Sequence, residues 1–252
     1  MTETVFGRVT RLLAAFDEDE PSLPVAVLAA RAGIPLSSAH RLVASLVAEG
    51  WLVAVGEARY AIGTRLWELG ELSPVAVRLR EVALPHMVRL YEATGENVHL
   101  AVLDVDVPPE RAEIVFAGRI TGRASVPTLG REGGRHPLHT TGVGKAILLG
   151  RDEAWLDRYL AVPLLPETSR SITDPEALRA DLARARARGW ASTHGEMTLG
   201  NISVAAPLAP LTGLPPAAIG VVAHAGDALE KRLAPMVTQA ARELSRALRP
   251  DA

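Results

Sequence analysis

Apolar residues recur at three- and four-residue steps at the start of the chain. Val5, Val9, Leu12, Leu13 and Phe16 fall on one face, with Arg8 and Arg11 on the other. That period is helical and predicts a helix from Val5 to Phe16. The acidic run Asp17-Glu18-Asp19-Glu20 and Pro21 end it. A short second helix, Val25 to Ala32, carries Val25, Leu28, Ala29 and Ala32 on one side, and Gly33 stops it as a glycine just past a helix end does. After Ile34-Pro35 a third helix runs from Leu36 to Glu49, stopped by Gly50. Its stripe is Ala39, Leu42, Val43, Leu46 and Val47; its other face is Ser37, Ser38, His40, Arg41 and Ser45. Two strand-like runs follow, Trp51 to Val55 and Arg59 to Ile62, joined by Gly56-Glu57-Ala58. Helix, short helix, tight turn, helix and hairpin, in that order, make a winged helix-turn-helix.

Beyond it, Arg65 to Leu72 reads as a short helix and Val75 to Thr94 as a longer one, kinked near Pro85. Past Gly95 the pattern becomes mixed. Val98 to Val105, Glu113 to Gly118, Ser203 to Ala209 and Ala217 to His224 read as strands. Thr140 to Leu149, Glu153 to Leu160, Pro175 to Arg188 and Ala228 to Leu248 read as helices. The expected class is α+β. The expected division is a winged helix-turn-helix over 1–64, linker helices over 65–94 and a second domain over 95–252.

Composition narrows the chemistry. The 252 residues suit two domains of ordinary size. The chain has no cysteine, which excludes disulfides, cysteine–metal sites and a thiol nucleophile. No apolar run approaches the roughly 18 residues that span a membrane, and Met1-Thr2-Glu3-Thr4 does not open like a signal peptide. A cytoplasmic protein without a membrane partner is the expectation. The net charge of −2 announces no polyanionic partner.

The third helix carries the most specific chemistry. In a helix-turn-helix one face of that helix packs on the other two and the opposite face enters the major groove. Short hydroxyls and a guanidinium suit base edges and phosphates. Ser37, Ser38, His40, Arg41 and Ser45 meet that requirement, and Arg59 on the hairpin is placed to reach flanking backbone. The bland alternative is a helical mini-domain with a solvated polar face. Residues 1–64 hold five basic and seven acidic groups, against the positive surface that phosphate binding favours. Most of the acids, however, lie in one loop.

The run Ala32-Gly33-Ile34-Pro35-Leu36-Ser37-Ser38-Ala39-His40-Arg41-Leu42, then Gly50-Trp51-Leu52 and Tyr60-Ala61-Ile62-Gly63, resembles the IclR (isocitrate-lyase-regulator) family of bacterial transcription factors. The second half agrees: Pro137-Leu138-His139-Thr140-Thr141-Gly142-Val143-Gly144-Lys145-Ala146, then Arg188-Gly189-Trp190-Ala191, Gly195-Glu196 and Ser203-Val204-Ala205-Ala206-Pro207. The resemblance spans about residues 5–250. It implies a linker helix and an effector-binding domain with a curved antiparallel sheet flanked by helices. It also implies a repressor of double-stranded operator DNA that works as a homodimer or a dimer of dimers, without a cofactor. Leu36 stands where a basic residue is common in the family, which removes one expected phosphate contact.

For the effector site the resemblance implies three pieces: Thr141, Gly142 and Val143; Thr193 and Glu196 through Ser203; and Gly220 with Val222. Backbone N–H groups at the start of the Thr140–Leu149 helix suit a carboxylate. Family members that bind small keto acids carry serines where this chain has Gly220 and Val222. A roomier, less polar pocket follows as the expectation, taking an aromatic or otherwise larger, partly apolar effector rather than a two- or three-carbon acid. The rival reading is a hydrolase-like enzyme with an N-terminal dimerisation module, using His139, His194 and Glu196. A second rival is a DNA-binding protein whose C-terminal domain is purely structural. Gly142-Val143-Gly144-Lys145 is no phosphate loop, because His139 replaces its upstream glycine and Ala146 its hydroxyl. No metal site is expected of His86, His99, His194 and His224.

Overall fold

The computed structural model describes residues 4–17, 19–122, 132–226 and 229–249. It divides into two compact units, 1–73 and 74–252. The residues read as linker helices, 65–94, are shared between them.

The first unit holds α1 (Val5–Leu13), β1 (Ser22–Pro24), α2 (Val25–Ala32), α3 (Leu36–Ala48), β2 (Leu52–Ala54), β3 (Arg59–Ile62) and α4 (Thr64–Glu71). Thr4 caps α1 by accepting from the Gly7 amide at 3.1 Å. The helix stops at Leu13, a turn short of Phe16, and Phe16 packs on the core from the following segment. Leu12, Leu28, Ala39, Val43, Leu46 and Leu52 build that core. They are the apolar stripes of the three helices, so α3 is left with its polar face outward. The three-residue strand β1, between prolines, gives no alternation to read. It pairs with β3, which also pairs with β2, in the order β1-β3-β2, and it buries Leu23 completely.

The second unit opens with a π-helical stretch, Val75–Arg80, that runs into α5 (Glu81–Thr94). The change of pitch falls one turn before Pro85, whose ring crowds the Glu81 carbonyl and whose missing N–H cannot donate to it. Then come β4 (Asn97–Leu103), β5 (Glu113–Ile120), β6 (Arg135–Pro137), α6 (Gly142–Leu148), α7 (Glu153–Leu160), α8 (Pro175–Arg188), β7 (Ala191–His194), β8 (Asn201–Pro207), β9 (Ala217–His224) and α9 (Leu229–Ala247). Asp152 and Asp174 cap α7 and α8, accepting from the Trp155 and Ala177 amides at 2.8 and 2.7 Å.

The sheet is antiparallel throughout, in the order β6-β5-β4-β9-β8-β7. Both its faces are covered, which is why its strands read as nearly continuous apolar runs. Val98, Leu100, Ile202, Val204, Ile219 and Val221 face α5 and α9, where Ala83, Met87, Leu90, Leu233, Val237 and Leu244 meet them. Ala101, Leu103, Ala205 and Ala218 face α6, α7 and α8. Small residues dominate this second face of the central strands, so α6 lies close to the sheet. The start of α6 is thereby seated over the row Thr193, Ser203 and Val222, which are register partners on β7, β8 and β9.

Candidate functional site

In the first unit, the sequence-predicted nucleic-acid face is α3. Ser37, His40, Arg41 and Ser45 are exposed and Ser38 is half-buried, while Ala39, Val43 and Leu46 are buried. The Arg41 guanidinium makes no hydrogen bond or ion pair among the described residues. The Ser45 hydroxyl donates to the Arg41 carbonyl at 3.1 Å. Arg59 is different from its expectation. Its Nε donates to Ser22 Oγ at 3.0 Å and its Nη2 to the Ser22 carbonyl, so it ties β3 to β1 instead of extending from the hairpin. The hairpin itself turns through Gly56, Glu57 and Ala58, all with positive φ. The acidic loop is partly neutralised from within the unit: Arg31 pairs with Asp17 at 2.8 Å and with Glu20. A hydrogen bond from the Glu20 amide, with help from Arg31, holds the Asp17 carboxyl below its ordinary range.

In the second unit, Thr141, Gly142, Val143, Thr193, Glu196, Ser203, Gly220 and Val222 all line one cavity. The structure brings together every residue expected of the effector site. Met197, Thr198, Asn201 and Ile202, from the expected stretch between Glu196 and Ser203, also line it; sequence reasoning missed His99, Phe116, His136 and Thr140, which complete the lining. Three of these form an aromatic wall. The Phe116 ring stands edge-on to His99 at 4.7 Å between centroids and tilted against His136 at 5.2 Å. Alternation along β4 and β5 was the available signal, since His99 and Ala101 share the face that meets α6.

Two glycines set how closely α6 approaches. A Cβ on Gly142 would stand 2.1 Å from Ser203 Oγ, and one on Gly220 would stand 2.7 Å from Ala205 Cβ and 3.1 Å from Val143 Cγ1. The Gly220 position therefore admits the helix, and does not widen the cavity as expected. The cavity holds about 50 Å³, well below the roughly 150 Å³ that accommodates benzene. The Gly142 and Val143 amides have no carbonyl acceptor one turn back, while Thr141 Oγ1 takes the Gly144 amide at 3.1 Å.

Behind the cavity lies a charged trio. Lys145, 1 % exposed, places Nζ 2.8 Å from Glu196 Oε1 and 2.8 Å from Asp181 Oδ2. Burial pushes the Glu196 carboxyl above its ordinary range, against the opposing pull of Lys145. The turn that carries Glu196 is clamped by its neighbours: Thr168 Oγ1 donates to the Gly195 carbonyl at 2.6 Å and Ser171 Oγ to the Glu196 carbonyl at 2.7 Å.

The groups of the rival hydrolase reading are each engaged elsewhere. The two ring nitrogens of His139 meet the Tyr159 hydroxyl at 2.9 Å and the Leu165 carbonyl at 3.0 Å. His194 lies 3.2 Å from the Glu230 carboxylate, and Glu196 is held by Lys145. His86, His99, His194 and His224 sit on separate elements, and among the described residues no three His, Asp or Glu side chains are placed to hold a metal. No helix among those residues is long and apolar enough to cross a membrane.

The comparisons with known proteins agree with this geometry. Residues 7–56 match the IclR helix-turn-helix domain and residues 75–247 the C-terminal domain of the bacterial transcriptional regulator IclR. The chain is 31 % identical to the transcriptional repressor IclR of Escherichia coli K12, over 94 % of this chain and 87 % of that protein. It is 28 % identical to the Pca regulon regulatory protein of Pseudomonas putida, over 96 % of this chain and 82 % of that one. Among solved structures it superposes on an IclR homolog of Microbacterium hydrocarbonoxydans complexed with 4-hydroxybenzoate, with a TM-score of 0.88, 31 % identity and coverage of 97 % and 99 % of the two chains. These relatives are regulators and not enzymes. With a helix-turn-helix whose polar face is open and a second domain built around a small cavity, the chain belongs to the IclR family of bacterial transcriptional regulators.

Proposed function

We propose that this regulator is a cytoplasmic repressor that binds double-stranded operator DNA as a homodimer and is controlled by a small aromatic carboxylic acid. Ser37, Ser38, His40, Arg41 and Ser45 of α3 form its groove-reading face. Arg41, exposed and without a partner among the described residues, carries the guanidinium for a base edge or phosphate. Arg59 supports the wing through Ser22.

The effector site is the cavity at the start of α6. The carboxylate is received by the Gly142 and Val143 amides and the Ser203 hydroxyl, and the apolar body lies toward Val222 and Phe116. The observation that carries this reading is the convergence of acceptor-free amides, one hydroxyl and an aromatic wall on a single cavity. The Microbacterium relative, seen with 4-hydroxybenzoate, supports the ligand class. An aromatic ring needs more volume than the cavity offers. Met197, half-buried on its wall, is the side chain most able to move aside, since an unbranched thioether repacks at low cost.

Control requires that the acid bind the DNA-competent and DNA-incompetent states with different affinity, and the linkage is reciprocal. Fluorescence anisotropy of labelled operator, titrated with 4-hydroxybenzoate, pyruvate and glyoxylate in turn, tests it. An operator affinity that shifts with the aromatic acid and stays fixed with the keto acids is expected. Response to pyruvate or glyoxylate alone would overturn the ligand class.

A further inference from the structure

Two buried polar side-chain atoms of the cavity lining, His99 Nε2 and Glu196 Oε2, have no hydrogen-bond partner among the described residues. Folded proteins leave few such atoms, because each forfeits about 1–3 kcal/mol of desolvation without return. The two flank the cavity from opposite sides. His99 is on β4, and Glu196 follows β7, three positions away in the sheet order.

Glu196 is the better defined. Its Oε1 is taken by Lys145, and its peptide carbonyl is fixed by Ser171. The carboxylate therefore cannot turn to find another donor, and Oε2 stays buried and unpaired on a residue of the cavity lining. An ionised carboxylate oxygen only accepts. Whatever meets it must bring a proton, and a ligand carboxylate placed there would be repelled. Lys145 is shared with Asp181, so it does not cancel that repulsion.

We propose that Glu196 is the specificity-determining residue of the cavity: its Oε2 accepts a hydrogen bond from a hydroxyl of the effector, which selects hydroxylated aromatic acids over their unhydroxylated counterparts. The anionic end of such a ligand is turned away from Glu196. It stays on the Gly142 and Val143 amides and the Ser203 hydroxyl. This inference rests on the aromatic-acid reading above and adds what distinguishes one aromatic acid from another.

Isothermal titration calorimetry on the full chain tests it, with 3- and 4-hydroxybenzoate, benzoate and 4-methoxybenzoate as probes. The methoxy compound keeps the oxygen and loses the proton. For the unaltered protein one of the hydroxybenzoates should bind about tenfold tighter than benzoate or 4-methoxybenzoate, because a site built around a hydroxyl penalises the analogue that leaves it unpaired. In Glu196→Gln the ratio of hydroxybenzoate to benzoate affinity should shrink to within about threefold. Equal binding of benzoate and both hydroxybenzoates to the unaltered protein overturns the proposal and leaves the aromatic-acid reading standing. An equal loss for all probes in Glu196→Gln also overturns it, since that is the signature of a purely structural residue. Binding of none of the probes overturns both. The unaltered protein alone decides the first comparison, so the proposal remains open to refutation if the variant does not fold.

Discussion

Gly142 and Ser203 meet so closely that a single methyl group could not be inserted between them: a Cβ on Gly142 would lie 2.1 Å from Ser203 Oγ and 2.9 Å from its Cβ. The start of α6 is thus pressed onto β8 at the point where the cavity begins. Gly142→Ala is expected to destabilise the second unit by about 1–3 kcal/mol through overpacking. The double substitution with Ser203→Gly should recover part of that loss. Urea denaturation of the two variants checks it, and a neutral Gly142→Ala would show that α6 is not held by this contact.

Arg41 and Arg59 should separate cleanly. Arg41→Ala is expected to weaken operator binding by roughly 1–3 kcal/mol with the melting temperature unchanged, as the loss of an exposed base or phosphate contact does. Arg59→Ala should act on the fold first, since it removes the bonds to Ser22 that join β3 to β1. Anisotropy and thermal melts on both variants provide the readout. Unchanged operator affinity for Arg41→Ala would remove it from the interface.

Val222→Ser puts a hydroxyl beside Ser203, its register partner on β8. The apolar wall shrinks, so an aromatic acid should lose about 1 kcal/mol or more of binding. A small polar acid should lose less or gain. Calorimetry with 4-hydroxybenzoate and pyruvate on the variant checks the sign of each change.

His99 makes stability depend on acidity. Burial lowers its pKa from 6.5 to about 3, with Arg119 and His136 adding to the shift. As pH falls below 6.5 the unfolded chain takes up a proton that the folded histidine refuses. The histidine's contribution is therefore complete above 6.5 and is lost by about 1.4 kcal/mol per unit on the way down to about pH 3. Between pH 7 and pH 5 this amounts to about 2 kcal/mol, which should be absent in His99→Leu. Denaturation curves of both proteins at the two pH values decide it.

Lys145→Met leaves two carboxylates, Glu196 and Asp181, without the cation between them. Breaking a buried pair in this way should cost about 3–5 kcal/mol near neutral pH. The Glu196 carboxyl, already raised by burial, then rises further. A carboxyl raised in the folded state favours folding in acid and ceases to as pH climbs through its folded pKa. The variant should therefore lose ground against the unaltered protein as pH increases from 5 to 8. A deficit independent of pH would contradict the assignment of charge to this trio.

Much of the molecule could be read along the chain because its determinants are local. The stripes of the first three helices fixed which side of α3 is buried and left Ser37, His40, Arg41 and Ser45 outside. The expected bounds of α7 and α8 match the structure, whose local reason is that Asp152 and Asp174 bond amides only three positions away. The resemblance at Thr141, Gly142 and Val143, Glu196 and Ser203, and Gly220 and Val222 named residues that the fold gathers around one cavity.

Other features were decided only by tertiary structure. Arg59 looked free on the hairpin, and its partner Ser22 is 37 residues away on a strand too short to show a pattern. Gly220 looked like added space. Its alpha carbon faces Val143 and Ala205, so the space belongs to α6. Lys145 and Glu196 are 51 residues apart and meet because α6 and the turn after β7 share one face of the sheet. His99 reads as an ordinary strand residue until β4, β5 and α6 enclose it. Periodicity and capping depend on neighbours within one turn, and a sequence carries them explicitly. Burial, the partner of a charge and the volume beside a glycine depend on which distant segments are brought within a few ångströms, and only the packed chain settles those.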